Sequence, residues 1–317
     1  LSCQIDIVLK RKLGRTKLDV SVLSMGTVSL GMDYGIRIPE KIGHPSESES
    51  IELLRAAADY GINFYDTAPV YGSSEIVLGK ALFGKDSCYI ATKLSLSFLE
   101  GADQTPLSRE NAILESINKS LKCLQRDVLD VLQVHNATVA VFDDSITIRA
   151  LQRVKHQGLV KYIGASIYNE KDALAAIDSG IVDILQVPFS ILDQRLTFNV
   201  LPAAESANVG ILARSVLLQG VLSEKACYLP DHLIALKEGA TRIKDYYDIS
   251  WQELSQLAIR FCLGIPGVHS VLLGIENISE LDVAMDAVKA GMLPSVDMNM
   301  ASDFQMNDNV LLNPSNW

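Results

Sequence analysis

Two rhythms of apolar residues alternate along this 317-residue chain. Short unbroken apolar runs suit strands buried on both faces. Longer stretches, with apolar positions returning every three or four residues, suit amphipathic helices. Runs at 8–13 and 18–22 flank a Gly14-Arg15-Thr16 turn and predict an N-terminal β-hairpin. An apolar strand over 20–25 then ends at Gly26-Thr27. After a polar loop, Ser48 or Ser50 can cap a helix that carries Ile51, Leu54, Ala57 and Ala58 on one face, and Gly61 stops it.

The same unit then repeats. Strands are predicted at 62–66, 88–92, 128–134, 162–165, 184–187, 211–213 and 271–273, with helices at 74–82, 109–124, 145–157, 170–179, 200–208, 250–263 and 279–289. Strand alternating with helix means parallel pairing under a helical cover, and eight such units predict an α/β fold of the (β/α)8 TIM barrel kind. A doubly wound sheet is the competitor. It would carry a glycine-rich phosphate turn after a strand, and neither GxGxxG nor GxxxxGK[ST] occurs. The whole chain, 1–317, is expected to be one barrel domain, with its core over 8–290 and an extended polar tail over 291–317 lying on one barrel face. Long loops at 31–49 and 218–249 are natural lids.

Charge and cysteine usage narrow the function classes. A net charge of −10 with no basic run argues against nucleic acid. Apolar stretches break too soon to cross a bilayer, and the N-terminus has no run resembling a signal peptide. Five widely spaced cysteines (Cys3, Cys88, Cys123, Cys227, Cys262) form no CxxC pair or Cys/His cluster. Buried free thiols, no metal site and a cytoplasmic location are the expectation.

In a barrel the chemistry lies at the carboxyl ends of the strands. Asp66, Lys93, His135, Ser166, Gln186, Arg214 and Gly274 all fall there, and Tyr71 follows Asp66 across a short turn. A tyrosine, with its ordinary value of about 10, is a reluctant proton donor. An ammonium beside its oxygen stabilises the phenolate. Lys93 can serve, Asp66 can hold Lys93 charged, and His135 can donate a hydrogen bond to a carbonyl oxygen. Such an acid protonates an oxygen that turns negative as something adds to its carbon. No Ser-His or Cys-His nucleophile accompanies it, so hydride from a nicotinamide is the simplest electron source.

The motifs around these residues resemble the aldo-keto reductase family. They are Lys12-Leu13-Gly14, Phe64-Tyr65-Asp66-Thr67-Ala68, Tyr71-Gly72-Ser73-Ser74-Glu75, Leu78-Gly79-Lys80-Ala81-Leu82, Thr92-Lys93, Val134-His135 and Gly164-Ala165-Ser166, and the similarity spans about 8–290. The resemblance implies an NAD(P)H-dependent carbonyl reductase or alcohol dehydrogenase. Tyr71 would be the general acid/base, tuned by Lys93 and Asp66, with His135 orienting the carbonyl. It also implies an extended dinucleotide across the barrel mouth. Ser166 and Gln186 would hold the carboxamide, and Arg214 stands where the family stacks an aromatic under the ring. Ser215, Leu217, Gly220 and Lys225 would clasp the pyrophosphate, and Thr27 and Gly274 would add contacts.

The last segment departs from the family. Glu276, Glu280, Val283 and Ala284 stand where small, basic or amide residues are usual. A carboxylate there accepts from ribose hydroxyls and repels a 2′-phosphate. NADP(H) is thus the expectation from the family and NAD(H) the expectation from Glu276 and Glu280. The runs 186–195, 214–220 and 312–317 resemble a bacterial branch associated with surface-carbohydrate synthesis, implying a sugar or other small carbonyl substrate. Tyr34, Phe98 and Tyr168 are candidate pocket residues. A reductase-like cofactor-binding regulatory subunit, or redox sensor, is the alternative. The complete Asp66, Tyr71, Lys93 and His135 set disfavours it, because a sensor need not keep a proton donor.

Overall fold

The eight expected parallel strands close on themselves. In a computed structural model, residues 8–36, 38–39, 43–96 and 105–317 are described. A short antiparallel hairpin comes first, β1 (Lys10–Lys12) against β2 (Asp19–Ser21). The barrel strands are β3 (Leu23–Gly26), β4 (Phe64–Asp66), β5 (Tyr89–Leu94), β6 (Leu129–Val134), β7 (Val160–Ser166), β8 (Ile184–Pro188), β9 (Gly210–Arg214) and β10 (Ser270–Gly274). They pair in chain order, and β10 returns to β3. Closure leaves no open edge in the barrel, and nearly every barrel-strand residue is buried, which is why these runs are predominantly apolar.

The hairpin seals the amino-terminal end of the barrel. Its Leu13, Leu18 and Val20 pack with Phe64, Ala91, Val131, Ile184 and Leu212, one residue from each of five strands. Gly14 lets the turn dock. Its φ is +51°, and a Cβ there would lie 2.3 Å from the Gly210 nitrogen, closer than any side chain permits.

The helices among the described residues are α1 (Glu47–Asp59), α2 (Ser74–Ala81), α3 (Pro106–Leu124), α4 (Val139–Asp143), α5 (Ser145–His156), α6 (Glu170–Asp178), α7 (Val200–Ser206), α8 (Ile234–Tyr247), α9 (Trp251–Gly264), α10 (Ile278–Lys289) and α11 (Ser295–Ser302). None is long and apolar enough to cross a membrane.

Several expectations need correction. The cap of α1 is Ser46, not Ser48 or Ser50. Ser46 accepts from the Glu49 nitrogen while the Glu49 carboxylate accepts from the Ser46 nitrogen, a reciprocal capping box that only the Ser-x-x-Glu spacing provides. The 218–249 segment is no simple lid. It winds through short 3-10 turns into α8, which buries Leu236, Gly239, Ala240 and Ile243 along one stripe. The tail is not extended throughout, since it forms α11. It docks on the segment after β8, where the Met306 nitrogen donates to the Leu192 oxygen at 2.9 Å, and sets Phe304 edge-on against Tyr246. Among the thiols, Cys227 is exposed rather than buried, while Cys3 lies outside the described residues.

Candidate active site

A strand turns alternate side chains to opposite faces, so a residue two beyond an inward one also points inward. Phe64, Ala91, Val131, Ile184 and Leu212 form the layer against the hairpin. Two residues beyond each stand Asp66, Lys93, Gln133, Gln186 and Arg214. The apolar layer and the polar layer above it are thus consequences of one strand period. His135 and Ser166 follow by the same step, from Gln133 and Gly164.

Lys93 and Asp66 are almost fully buried, at 1 % and 3 % exposure. The Lys93 Nζ donates to Asp66 Oδ2 and to the Thr67 oxygen, the latter at 3.0 Å. Asp66 Oδ1 accepts from Gln133 Nε2 and Gln186 Nε2, both at 2.7 Å. The carboxylate therefore has three side-chain donors, enough to keep a buried charge solvated by protein. Burial alone would lower the Lys93 value. The attraction of Asp66, with help from Tyr71, outweighs it and holds the ammonium above its ordinary value.

Tyr71 comes to this pair from the turn after β4. Lys93 Nζ lies 4.8 Å from the centre of its ring, and the His135 ring meets it edge-on at 5.9 Å. Burial, then the positive charge of Lys93, pushes His135 down to about 4; Asp66 opposes this and Arg214 adds to it. Near neutral pH the imidazole is uncharged and retains one N–H to donate. The turn that presents Tyr71 is clamped by two glycines. A Cβ on Gly72 would lie 2.1 Å from the Gly31 oxygen, and one on Gly31 would lie 2.1 Å from the Tyr71 oxygen. Below it, Ser74 Oγ donates to the Thr27 oxygen at 3.0 Å and meets Thr67 Oγ1 at 2.9 Å, while Thr27 Oγ1 donates to the Asp66 oxygen at 3.0 Å.

One long cleft runs from this cluster across the mouth. Thr27, Asp66, Tyr71, Gln186, Arg214, Ser215, Leu217, Gly220, Lys225, Gly274, Glu276 and Glu280 all line it, together with Tyr34, Trp251, Val283 and Ala284. Ser166 does not line it. It is buried on β7 as the register partner of Gln186. A carboxylate only accepts, so the amide nitrogen of Gln186 must face Asp66, and only its Oε1 is left to receive a donor.

Arg214 lies with its guanidinium carbon 4.3 Å from the centre of the Tyr168 ring and donates to the Ile167 oxygen at 2.9 Å. Beyond it the backbone bends sharply, with positive φ at Ser215, Leu218, Gln219 and Gly220. Three of these are not glycine, so the turn carries strain. Gln219 Nε2 donates across the cleft to the Tyr34 oxygen at 3.2 Å. Lys225 pairs with Glu280 at 3.2 Å and Glu276 at 3.5 Å. Burial alone would lower the Lys225 value, but the two carboxylates raise it.

Sequence reasoning missed Gln133, although an amide inside an apolar strand two residues before His135 was a readable signal. It also missed that Lys225 and the two glutamates meet, since they are 51 and 55 residues apart. Phe98 lies outside the described residues.

The profile of the Aldo/keto reductase family matches residues 22–304. The chain belongs to this family. It is similar to an L-galactose dehydrogenase of Arabidopsis thaliana, 30% identical over 296 residues that cover 88% of this chain and 87% of the relative. It is also similar to a probable voltage-gated potassium channel subunit beta of Arabidopsis thaliana, 28% identical over 312 residues, 88% of this chain and 90% of that one. Among solved structures, the holo form of aldo-keto reductase AKR11C1 from Bacillus halodurans superposes with a TM-score of 0.76 at 26% identity, covering 94% of this chain and 96% of that one. The chain is thus an NAD(P)-dependent oxidoreductase of a family that acts on small-molecule carbonyl substrates.

Proposed function

We propose that this enzyme interconverts an alcohol and a carbonyl on a sugar or sugar-derived substrate in the cytoplasm, using NAD(H) in preference to NADP(H). The observation that carries the reading is the compact Asp66, Lys93, Tyr71 and His135 cluster at one end of a cleft whose lining continues to Lys225, Glu276 and Glu280. When bound, the nicotinamide supplies or accepts the hydride. Tyr71 gives its phenolic proton to the carbonyl oxygen in reduction, and takes it back in oxidation. Lys93, kept charged by Asp66, stabilises the phenolate left behind. Neutral His135 donates to the same substrate oxygen and orients it.

The donor set fits the cofactor. Gln186 Oε1 would accept from the carboxamide, with Ser166 buried beside Gln186 rather than on the cleft wall; Arg214 would lie against the ring, and the Ser215–Gly220 turn with Lys225 would clasp the pyrophosphate. Gly274 leaves open space beside it, since a Cβ there would meet no atom within 4 Å. Three observations support NAD(H). Glu276 and Glu280 both set carboxylates on the cleft wall, like in charge to a 2′-phosphate. The Glu276 nitrogen already donates to Glu280 at 2.8 Å. The Glu280 nitrogen donates to Asn277 at 2.9 Å, so these amides at the start of α10 are spent rather than open to a 2′-phosphate. The sugar assignment is supported by the similarity to the L-galactose dehydrogenase. The similarity to a channel subunit raises the regulatory alternative, and the intact proton-transfer cluster favours an enzyme over it.

The test is to offer the purified protein each of the four cofactor forms with a panel of aldoses, lactols and simple aldehydes, following the absorbance of reduced nicotinamide. Turnover of at least one sugar with NAD(H), and at least tenfold weaker use of NADP(H), is expected. Failure to bind either cofactor would overturn the proposal.

A further inference from the structure

Gln133 is fully buried, and its Nε2 donates to Asp66 Oδ1 at 2.7 Å. Its Oε1 has no hydrogen-bond partner. A methionine or leucine would fill that place with no polar group to satisfy, so an amide with an orphaned carbonyl is a poor filler. The neighbouring strand is nevertheless shaped around it. Gly164 is the register partner of Gln133, and a Cβ there would lie 2.8 Å from Gln133 Cγ. The orphaned oxygen is the consequence of turning the nitrogen toward a carboxylate.

We infer that Gln133 is a positioning residue for the proton-transfer cluster: it gives the buried Asp66 carboxylate a committed donor and holds it aimed at Lys93. The inference rests on the role proposed above for Asp66, Lys93 and Tyr71. Gln186 gives Asp66 Oδ1 a second donor, but Gln186 lines the cleft and meets whatever binds there. Gln133 does not line it, and its donor stays committed to Asp66 throughout a catalytic cycle. The charged and titratable groups around this carboxylate are Lys93 from β5, Tyr71 from the turn after β4, His135 after β6 and Arg214 from β9, with Glu75 of α2 beyond Lys93.

The experiment replaces Gln133 by methionine, close in volume but without a donor. Protein labelled with 13C at the aspartate carboxyl carbons, with the Asp66 signal assigned through Asp66→Asn, reports protonation of Asp66 without any turnover. In Gln133→Met the protonation midpoint should rise by about one pH unit, because the ionised carboxylate has one donor fewer. In parallel, kcat should fall about tenfold, with its acid limb moving up by the same amount and the cofactor Kd unchanged within twofold. Unfolding temperature should change little, since loss of the orphaned carbonyl offsets the donor taken from Asp66. Gln133→Glu, which donates only when its own carboxyl is protonated, should recover rate toward acid pH. An unmoved Asp66 midpoint in Gln133→Met would overturn the inference. A moved midpoint in a protein that turns nothing over would refute the proposed function and leave the positioning of Asp66 standing.

Discussion

Two lysine–carboxylate clusters sit in one cleft and are built in opposite ways. At one end Lys93 and Asp66 are in contact with side chains only 1 % and 4 % exposed, and two buried amides complete the carboxylate. At the other, Lys225 reaches Glu280 and Glu276 over 3.2 and 3.5 Å, with all three side chains partly exposed. The first pair rests on strand ends. The second joins the 3-10 turn Glu224–Tyr228, beyond the strained bend after β9, to the start of α10. Buried, amide-backed charges cannot shift without leaving an uncompensated ion, so they suit a fixed reaction centre. Wetter pairs on a bent loop separate at little cost, which suits a clasp that must admit and release a large ligand.

The contrast can be broken by deleting each lysine. Lys93→Met strands the buried Asp66 charge and should lower unfolding stability by about 3–5 kcal/mol in urea titration. An effect below 1 kcal/mol would show that the pair is not the rigid element described.

Acid offers a second separation. The folded value of His135, about 4, lies below the unfolded value of about 6.5, so the folded chain binds fewer protons between them. Its contribution to stability is complete above pH 6.5 and is lost as pH falls toward 4. The loss should reach roughly 3 kcal/mol, and His135→Gln should flatten this part of the stability–pH curve.

A third change acts at the clasp. Glu276→Gln with Glu280→Gln removes both carboxylate charges and should tighten NADP(H) binding about tenfold, or roughly 1.4 kcal/mol, by fluorescence titration. Unaltered selectivity would show that these carboxylates do not face the adenosine end. The smallest effect is expected for Lys225→Met, about 1 kcal/mol or less in stability, with weaker cofactor binding as its main symptom.

The reaction centre was more legible in the sequence than the clasp, for a physical reason. Asp66, Lys93 and His135 each end a predominantly apolar, strand-like run, and strand period alone brings them to one layer. Lys225, Glu276 and Glu280 meet only through the path of a long irregular segment, which no local periodicity encodes. α8 was recoverable, since Leu236, Gly239, Ala240 and Ile243 keep helical spacing within a polar stretch. α4 was not, because its five residues, Val-Ala-Val-Phe-Asp, are too few and too uniformly apolar to show a helical period. α11 gave no signal for a different reason: in a polar stretch it buries one residue, Ala301.

Tyr71→Phe tests the central claim most directly, with cofactor affinity and turnover measured on the same preparation. The account predicts NAD(H) affinity within twofold of the parent and turnover reduced by roughly 10^2–10^4-fold, the range for loss of a positioned general acid. Turnover within a few-fold of the parent would contradict it, because some other group would then be carrying the proton.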